Sequence, residues 1–260
     1  MIVFHKYQGT GNDFVIIDDR NETFDFENEN LINKICDRKL GVGADGLILL
    51  RNSKDSDFKM IYYNADGKES TMCGNGGRCI AHFAREKGII SKNAEFDAID
   101  GVHLISLVPG SDIVSLAMSN VNNIESIEMD GFLNTGSPHY VRFVNDLSSV
   151  EIIRDAHEIR FSPRFKSEGV NINFVELIDD GIYVRTYERG VEDETLSCGT
   201  GMVAAVLYAS KLDKIKDQKC KVSSLGGKVT VHFTKEDSNT FSNIWLQGPA
   251  KFVFKGEIHE

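Results

Sequence analysis

Two short stretches, MCGNGGRC at residues 72–79 and LSCGTGMV at residues 196–203, each set a cysteine and glycines just ahead of an apolar run with helical character. The first backbone N–H groups of a helix have no partner within the helix, and together with the helix dipole they create positive potential. A cysteine placed there ionises more easily than a free thiol, whose pKa is about 8.5. The glycines permit a tight turn and close approach of backbone to ligand, so the same amides can hold a carboxylate. Each motif, Cys73-Gly74-Asn75-Gly76 and Cys198-Gly199-Thr200-Gly201, is thus half of an anion site carrying a soft base. Two such halves on opposite sides of a ligand suit inversion at a carbon next to a carboxylate. One thiolate removes the α-proton and the opposing thiol returns a proton to the other face. That α-proton is very weakly acidic, so preorganised amides at the helix starts must stabilise the enediolate-like charge.

The elements that have to position these thiols are mostly strands. DFVIID, FKMIYYN, HLISLV, IVSLAM, NFVELI, GIYVRTYE, KVTVHF, NIWLQG and KFVFKGEI are short runs rich in β-branched and aromatic residues. Helical patterns are confined to ENLINKICDRKL, RCIAHFAREKG, GMVAAVLYASKLD and, more weakly, SVEIIRDAHEIR. The stretch Met202 to Tyr208 is apolar nearly all round, the pattern of a helix enclosed on every side. A curved sheet wrapped around it satisfies that pattern.

An internal repeat organises the chain. Cys73 and Cys198 stand 125 residues apart, and the same 125 separate Thr10 of TGNDFV from Thr135 of TGSPHYV. Upstream of each cysteine the order recurs as a strand, a polar acidic turn, Cys-Gly-x-Gly and a helix. These features predict an α+β protein of two pseudo-symmetric halves, each a curved, mostly antiparallel sheet or barrel around a central helix. Residues 1–118 form the first half, with the C-terminal strand 249–260 returning to it, and residues 119–248 form the second. The site is expected in the cleft between them.

Composition narrows the partners. The 260 residues carry a formal charge of −10 and are 41% hydrophobic and 26% charged, as in a soluble globular protein. An acidic chain is a poor match for nucleic acid or an anionic membrane, which need clustered Lys and Arg. The N-terminus MIVFHKYQGTGNDF lacks the pattern of a leader, and MVAAVLYAS is too short to span a bilayer, so a cytoplasmic protein with a small-molecule substrate is expected. Five cysteines, odd in number and sparse, suit reduced thiols.

Other motifs have plainer readings. Cys36, Cys79 and Cys220 read as packing residues. Cys73 and Cys79 lack the spacing and companions of a zinc site, so no metal is expected. GVGADG at residues 41–46 matches a dinucleotide fingerprint in form only, since a helix precedes it and LILL follows; it reads as a glycine-rich turn entering a strand. No lysine motif suggests a pyridoxal Schiff base, and a thiol pair needs no cofactor. His139, in the turn after Pro138, and the neighbours Glu188 and Arg189 each have a solvated reading when taken alone. Asn12, Asn64 and Asn171 are individually ordinary turn residues.

Taken together, KYQGTGNDFVIID, GVGADGLIL, YYNADGKESTMCGNGGRC, GSPHYV, GVNINFVEL, YERGVEDETLSCGTG and GPAKFVFKGEI make the chain resemble the diaminopimelate epimerases along nearly its whole length. The resemblance implies a cofactor-independent enzyme interconverting LL- and meso-2,6-diaminopimelate in lysine and cell-wall precursor synthesis, with Cys73 and Cys198 as its acid–base pair. It also implies a homodimer. Gly74, Asn75, Gly199 and Thr200 match the residues that bind the carboxylate at the reacting centre. Asn12, Asn64, Asn171, Glu188 and Arg189 match substrate contacts, with Asn64, Asn171 and Arg189 suited to the distal, non-reacting end. His139 and Glu188 match positions that tune the thiols. Gly46 and Ser137 depart from the pattern, which often has glutamine and asparagine there, so the contacts of those side chains are not carried over. A proline or hydroxyproline racemase of the same two-thiol superfamily is the nearest rival, and a substrate without a distal carboxylate would have no use for Arg189. A non-catalytic amino-acid-binding protein on this fold would be expected to lack one cysteine. A thiol redox protein would work in both dithiol and disulfide forms, whereas the epimerase works only reduced.

Overall fold

The strand-forming runs pair into sheet wherever side chains alternate between two packed faces, and helices fill those faces. In the computed structural model, which describes residues 1–259, the chain divides into two units. One comprises Met1–Leu116 with the C-terminal stretch from Gly248, and the other Ala117–Gln247.

The first unit contains β1 (Ile2–Gly9), β2 (Asn12–Asp18), α1 (Glu29–Cys36), β3 (Gly46–Arg51), β4 (Phe58–Asn64), α2 (Gly74–Glu86), β5 (Asn93–Ala98), β6 (Gly101–Leu107) and β7 (Ile113–Ala117). The second contains β8 (Glu125–Ile127), β9 (Asp130–Asn134), β10 (Pro138–Phe143), α3 (Ile152–Arg160), β11 (Asn171–Ile178), β12 (Gly181–Glu188), β13 (Asp193–Thr195), α4 (Gly199–Lys211), β14 (Lys219–Ser224), β15 (Gly227–Lys235) and β16 (Phe241–Pro249). The final strand, β17 (Lys251–Ile258), pairs antiparallel with β1.

The two units repeat one topology. In the first, the pairings run β17–β1 and β1–β2 antiparallel, β2–β3 parallel, β3–β4 antiparallel, β4–β5 parallel, then β5–β6 and β6–β7 antiparallel. In the second, β8–β9 and β9–β10 are antiparallel, β10–β11 parallel, β11–β12 antiparallel, β12–β14 parallel, then β14–β15 and β15–β16 antiparallel. The order of directions is the same strand for strand. Register repeats as well: Phe14 lies opposite Gly46, and 125 residues later His139 lies opposite Asn171.

Each sheet is covered on both faces. In the second unit Met202, Val203, Val206 and Leu207 of α4 pack with Val141, Val175, Val184, Val222 and Val231. On the other face Ile152, Ala156 and Ile159 of α3 pack with Ile172 and Phe174. In the first unit α1 contributes Ile32 and Ile35 against Val15, Ile17, Leu47 and Leu49. That two-sided burial is why GLILL reads as an unbroken apolar run rather than an alternating one. GVGADG has its plainer role: β3 starts at its last glycine, Gly46.

Both central helices begin earlier than their apolar runs. Cys73 and Cys198 are the N-cap residues, extended at φ −86°, ψ 127° and φ −121°, ψ 106°, and the glycine motifs themselves form the first turns. Residues Asn75 to Ala84 of α2 and Gly201 to Ser210 of α4 are all buried. All five cysteines are free, and Cys36, Cys79 and Cys220 are buried in packing. Burial pushes those three thiols up to about 11, 12 and 11, so they stay protonated and inert at neutral pH.

Candidate active site

In the first unit, Cys73 precedes a helix turn with no acidic residue in it, so nothing on α2 competes with a bound anion for the amides of that turn. Asn75, the second residue of the helix, donates through Nδ2 to Oδ1 of Asn12 at 2.5 Å. Asn12 in turn donates to Oδ2 of Asp45 at 2.9 Å. Arg38 bridges Asp45 and Asp13 at 2.6 and 2.7 Å, and Lys6 approaches Asp13 at 2.7 Å. Against the burial that opposes it, Arg38 and Lys6 hold the Asp13 carboxyl below the usual carboxylate range. This charged frame fixes the Asn12 and Asn75 amides in place at the start of the helix.

Thr10 sits at φ +54°, an uncommon conformation for a β-branched residue. Its Oγ1 accepts from Nη2 of Arg78 at 2.9 Å and lies 3.2 Å from Oδ1 of Asn75. The same guanidinium reaches Asn75 Oδ1 at 2.9 Å, so the strained turn and the helix start are tied together. Asn64 ends β4 directly opposite Gly46, with its side chain exposed. A Cβ on Gly46 would lie 2.5 Å from the Tyr62 ring and from the Tyr63 carbonyl, so no side chain fits at that position.

The second unit builds a connected network around Cys198, which is 8% exposed. Its Sγ lies 3.5 Å from Oγ1 of Thr200, again in a turn without an acid. Thr200 Oγ1 and Ser137 Oγ each lie 2.9 Å from Nε2 of His139 and 3.3 Å from one another. Asn171 donates from Nδ2 to Ser137 at 3.2 Å and accepts the backbone N–H of Arg189 at 2.8 Å. The Arg189 guanidinium is exposed and donates to the Glu168 carbonyl at 2.8 Å. Glu188, half-buried at the end of β12, accepts from Thr195 at 2.9 Å.

Sequence reading places His139 in a turn, and here the structure differs. His139 lies within β10, between β9 and β11, and is fully buried, with its ring against Gly201 of α4. Burial, with the positive Arg189 as the second cause, pushes its pKa down to about 3, so the ring is neutral throughout the working range. Ser137, set aside in the sequence for departing from the family pattern, stands in the middle of the network. Among the participants that escape sequence reasoning are Asn173, Arg78 and Asp45. Asn173 carried a signal, since it interrupts an apolar strand two residues from Asn171 and so shares its face.

Among known proteins, the family model for diaminopimelate epimerase matches residues 4–122 and 131–253. The chain belongs to the diaminopimelate epimerase family. A diaminopimelate epimerase of Flavobacterium psychrophilum is 49% identical over 98% of this chain and 99% of its own length. That of Aquifex aeolicus is 37% identical over 99% and 98%. Membership is therefore carried by the whole chain, including both cysteine motifs. Among solved structures, a Bacillus anthracis phenazine biosynthesis protein of the PhzF family aligns with a TM-score of 0.76 at 16% identity, covering 100% of this chain and 99% of that one. A hydroxyproline epimerase from Agrobacterium vitis aligns at 0.66 and 14%, covering 98% and 91%. At such identities the likeness establishes the fold alone.

Proposed function

We propose that this protein is an isomerase that interconverts LL-2,6-diaminopimelate and meso-diaminopimelate without a cofactor, serving lysine and peptidoglycan precursor synthesis. The observation that carries this reading is the in-register pair of N-cap cysteines, Cys73 and Cys198, in a chain of this family. One thiolate takes the α-hydrogen as a proton, and the C–H electron pair moves into the carboxylate to give an enediolate. The other thiol gives its proton to the opposite face of the carbon and is left as the thiolate, ready for the reverse reaction. Amides of the turns at Gly74–Asn75 and Gly199–Thr200 hold the reacting carboxylate and its added charge.

Asn12, Asn64, Asn171, Glu188 and Arg189 complete the substrate contacts in this proposal. The exposed Arg189 fork suits bidentate binding of the distal carboxylate. Glu188 and His139 condition the thiols. The protein works in the cytoplasm, with its thiols reduced, and as a homodimer. Support for the dimer comes from β17, where Phe252, Val253 and Phe254 are 50%, 52% and 44% exposed, an apolar run on both faces of one strand.

Incubation of the reduced protein with LL-diaminopimelate in deuterated water tests the function, with proline and hydroxyproline in parallel. Deuterium at one α-carbon together with the meso isomer is the expected outcome. Turnover of the imino acids alone would replace this function with a racemase, and binding without exchange on any substrate would end the catalytic reading.

A further inference from the structure

His139 and Asn173 are both fully buried, on the parallel neighbours β10 and β11. The Asn173 amide is oriented by its surroundings. Its Nδ2 lies 2.9 Å from the backbone carbonyl of Tyr140, and a carbonyl only accepts, so the group facing it is the NH2. Its Oδ1 accepts from the Thr186 hydroxyl at 3.0 Å. The same NH2 stands 3.1 Å from Nδ1 of His139. An amide NH2 only donates, so Nδ1 must present its lone pair, and the ring carries its hydrogen on Nε2. An imidazolium would set an N–H against that NH2 and is excluded on the same ground. On the far side of the ring, Nε2 lies 2.9 Å from the hydroxyls of Thr200 and Ser137, and Thr200 Oγ1 is 3.5 Å from the sulfur of Cys198.

The glycine of the second motif shows how closely this pair is fitted. A Cβ on Gly201 would lie 2.3 Å from Asn173 Oδ1 and 3.3 Å from His139 Cε1. In the first unit, a Cβ on Gly76 meets Ile48 and Phe14 at 3.2 and 3.5 Å, the residues 125 positions before Asn173 and His139. The repeated topology therefore stands with an apolar pair at these two places. The polar pair in the second unit is not a requirement of the fold.

We infer that Asn173 is a positioning residue that holds His139 as the Nε2–H tautomer, so that His139 serves as a hydrogen-bond donor toward Thr200 and, through the Thr200 hydroxyl, Cys198. On this arrangement His139 donates a hydrogen bond that favours the Cys198 thiolate and does not take the thiol's proton. Arg189 is the charged group acting on the ring, and its sign also disfavours a second proton. The groups in contact with the ring nitrogens, Asn173, Ser137 and Thr200, are neutral. The catalytic consequence rests on the proposed thiol chemistry, whereas the tautomer does not.

Long-range ¹⁵N–¹H correlation of the native protein with labelled histidine, assigned by the peaks lost in His139→Gln, reads the tautomer directly. The expected result is a protonated Nε2 and a bare Nδ1, unchanged between about pH 5 and 8. A hydrogen on Nδ1, or titration in that window, would overturn the inference whether or not the enzyme inverts diaminopimelate. Asn173→Asp keeps the shape and replaces the donor by an acceptor, so it should move the hydrogen to Nδ1 or protonate the ring. It should also lower kcat on the order of 10²-fold or more with a smaller change in KM, as a wrong tautomer does in other sites. A switched tautomer with native kcat and native pH profile would refute the positioning role.

Discussion

Arg78 and Asn75, one turn apart on α2, are joined by a 2.9 Å hydrogen bond from Nη2 to Oδ1, and the guanidinium that makes it is 0% exposed. Its other acceptors are neutral: Thr10 Oγ1 at 2.9 Å and the carbonyls of Gly74 and Pro249 at 3.4 and 3.5 Å. No carboxylate pairs with it among the described residues. A buried cation surrounded by neutral dipoles adds positive potential at the turn proposed to bind the carboxylate. Arg78→Met should raise KM for diaminopimelate and destabilise the fold by about 2–4 kcal/mol, because four acceptors, two of them buried, lose their donor. Urea unfolding and initial rates measure the two effects; unchanged KM in a folded variant would count against the electrostatic role.

Replacing either proposed base should stop inversion. Cys73→Ala and Cys198→Ala are each expected to lose about 10²- to 10⁴-fold or more in turnover, the range for a positioned acid or base. Exchange of the α-hydrogen with deuterated water, followed separately for each stereoisomer, distinguishes the partners. The thiol that remains should still wash hydrogen out of the isomer whose proton faces it, without changing its configuration.

The two equivalent glycines should respond unequally to one added methyl. Gly201→Ala forces a Cβ to 2.3 Å from Asn173 Oδ1 in a fully buried pocket, and is expected to cost about 1–3 kcal/mol despite alanine's better helix propensity. At Gly76 the near atoms are the chain ends of Ile48 at 3.2 Å and Met60 at 3.4 Å, which can yield. Gly76→Ala should therefore be the milder change, and thermal unfolding of the pair decides it.

Acid should weaken the second unit through His139. Its folded pKa, about 3, lies below the value of about 6.5 for an unfolded histidine, so between these pH values the unfolded chain binds the extra proton. Stability from this group is complete above about pH 6.5 and falls as pH drops toward 3, with a limiting slope of about 1.4 kcal/mol per pH unit. His139→Gln removes that slope. Chemical denaturation at pH 4.5 and 7 should show a smaller acid loss in the variant than in the native protein.

If β17 forms the dimer contact, one charge in the exposed apolar run should break it. Val253→Glu, at a side chain 52% exposed, is expected to shift the mass in light scattering from dimer to monomer at micromolar concentration. A native protein that is already monomeric there would remove the dimer from the proposal.

The helices and most strands were legible because periodicity is local. FKMIYYN and KFVFKGEI coincide with β4 and β17 residue for residue. The strands that went unread, such as NAEFDA and KCKVSS, carry too few apolar residues to declare an alternation, and their neighbours in the sheet hold them in place. Helix α2 starts at Gly74 rather than at Arg78, since glycine's poor propensity, about 1 kcal/mol each, is overridden by the packing of a buried first turn.

By itself the sequence determined the repeat, its 125-residue register and the two thiol motifs, because each is a matter of residue type and spacing along the chain. Tertiary structure alone decided that His139 is buried, that an asparagine 34 residues away orients its lone pair, and that Arg78 stands without an acid partner among the described residues. Those properties depend on which distant groups share a low-dielectric interior, and local spacing carries no record of that.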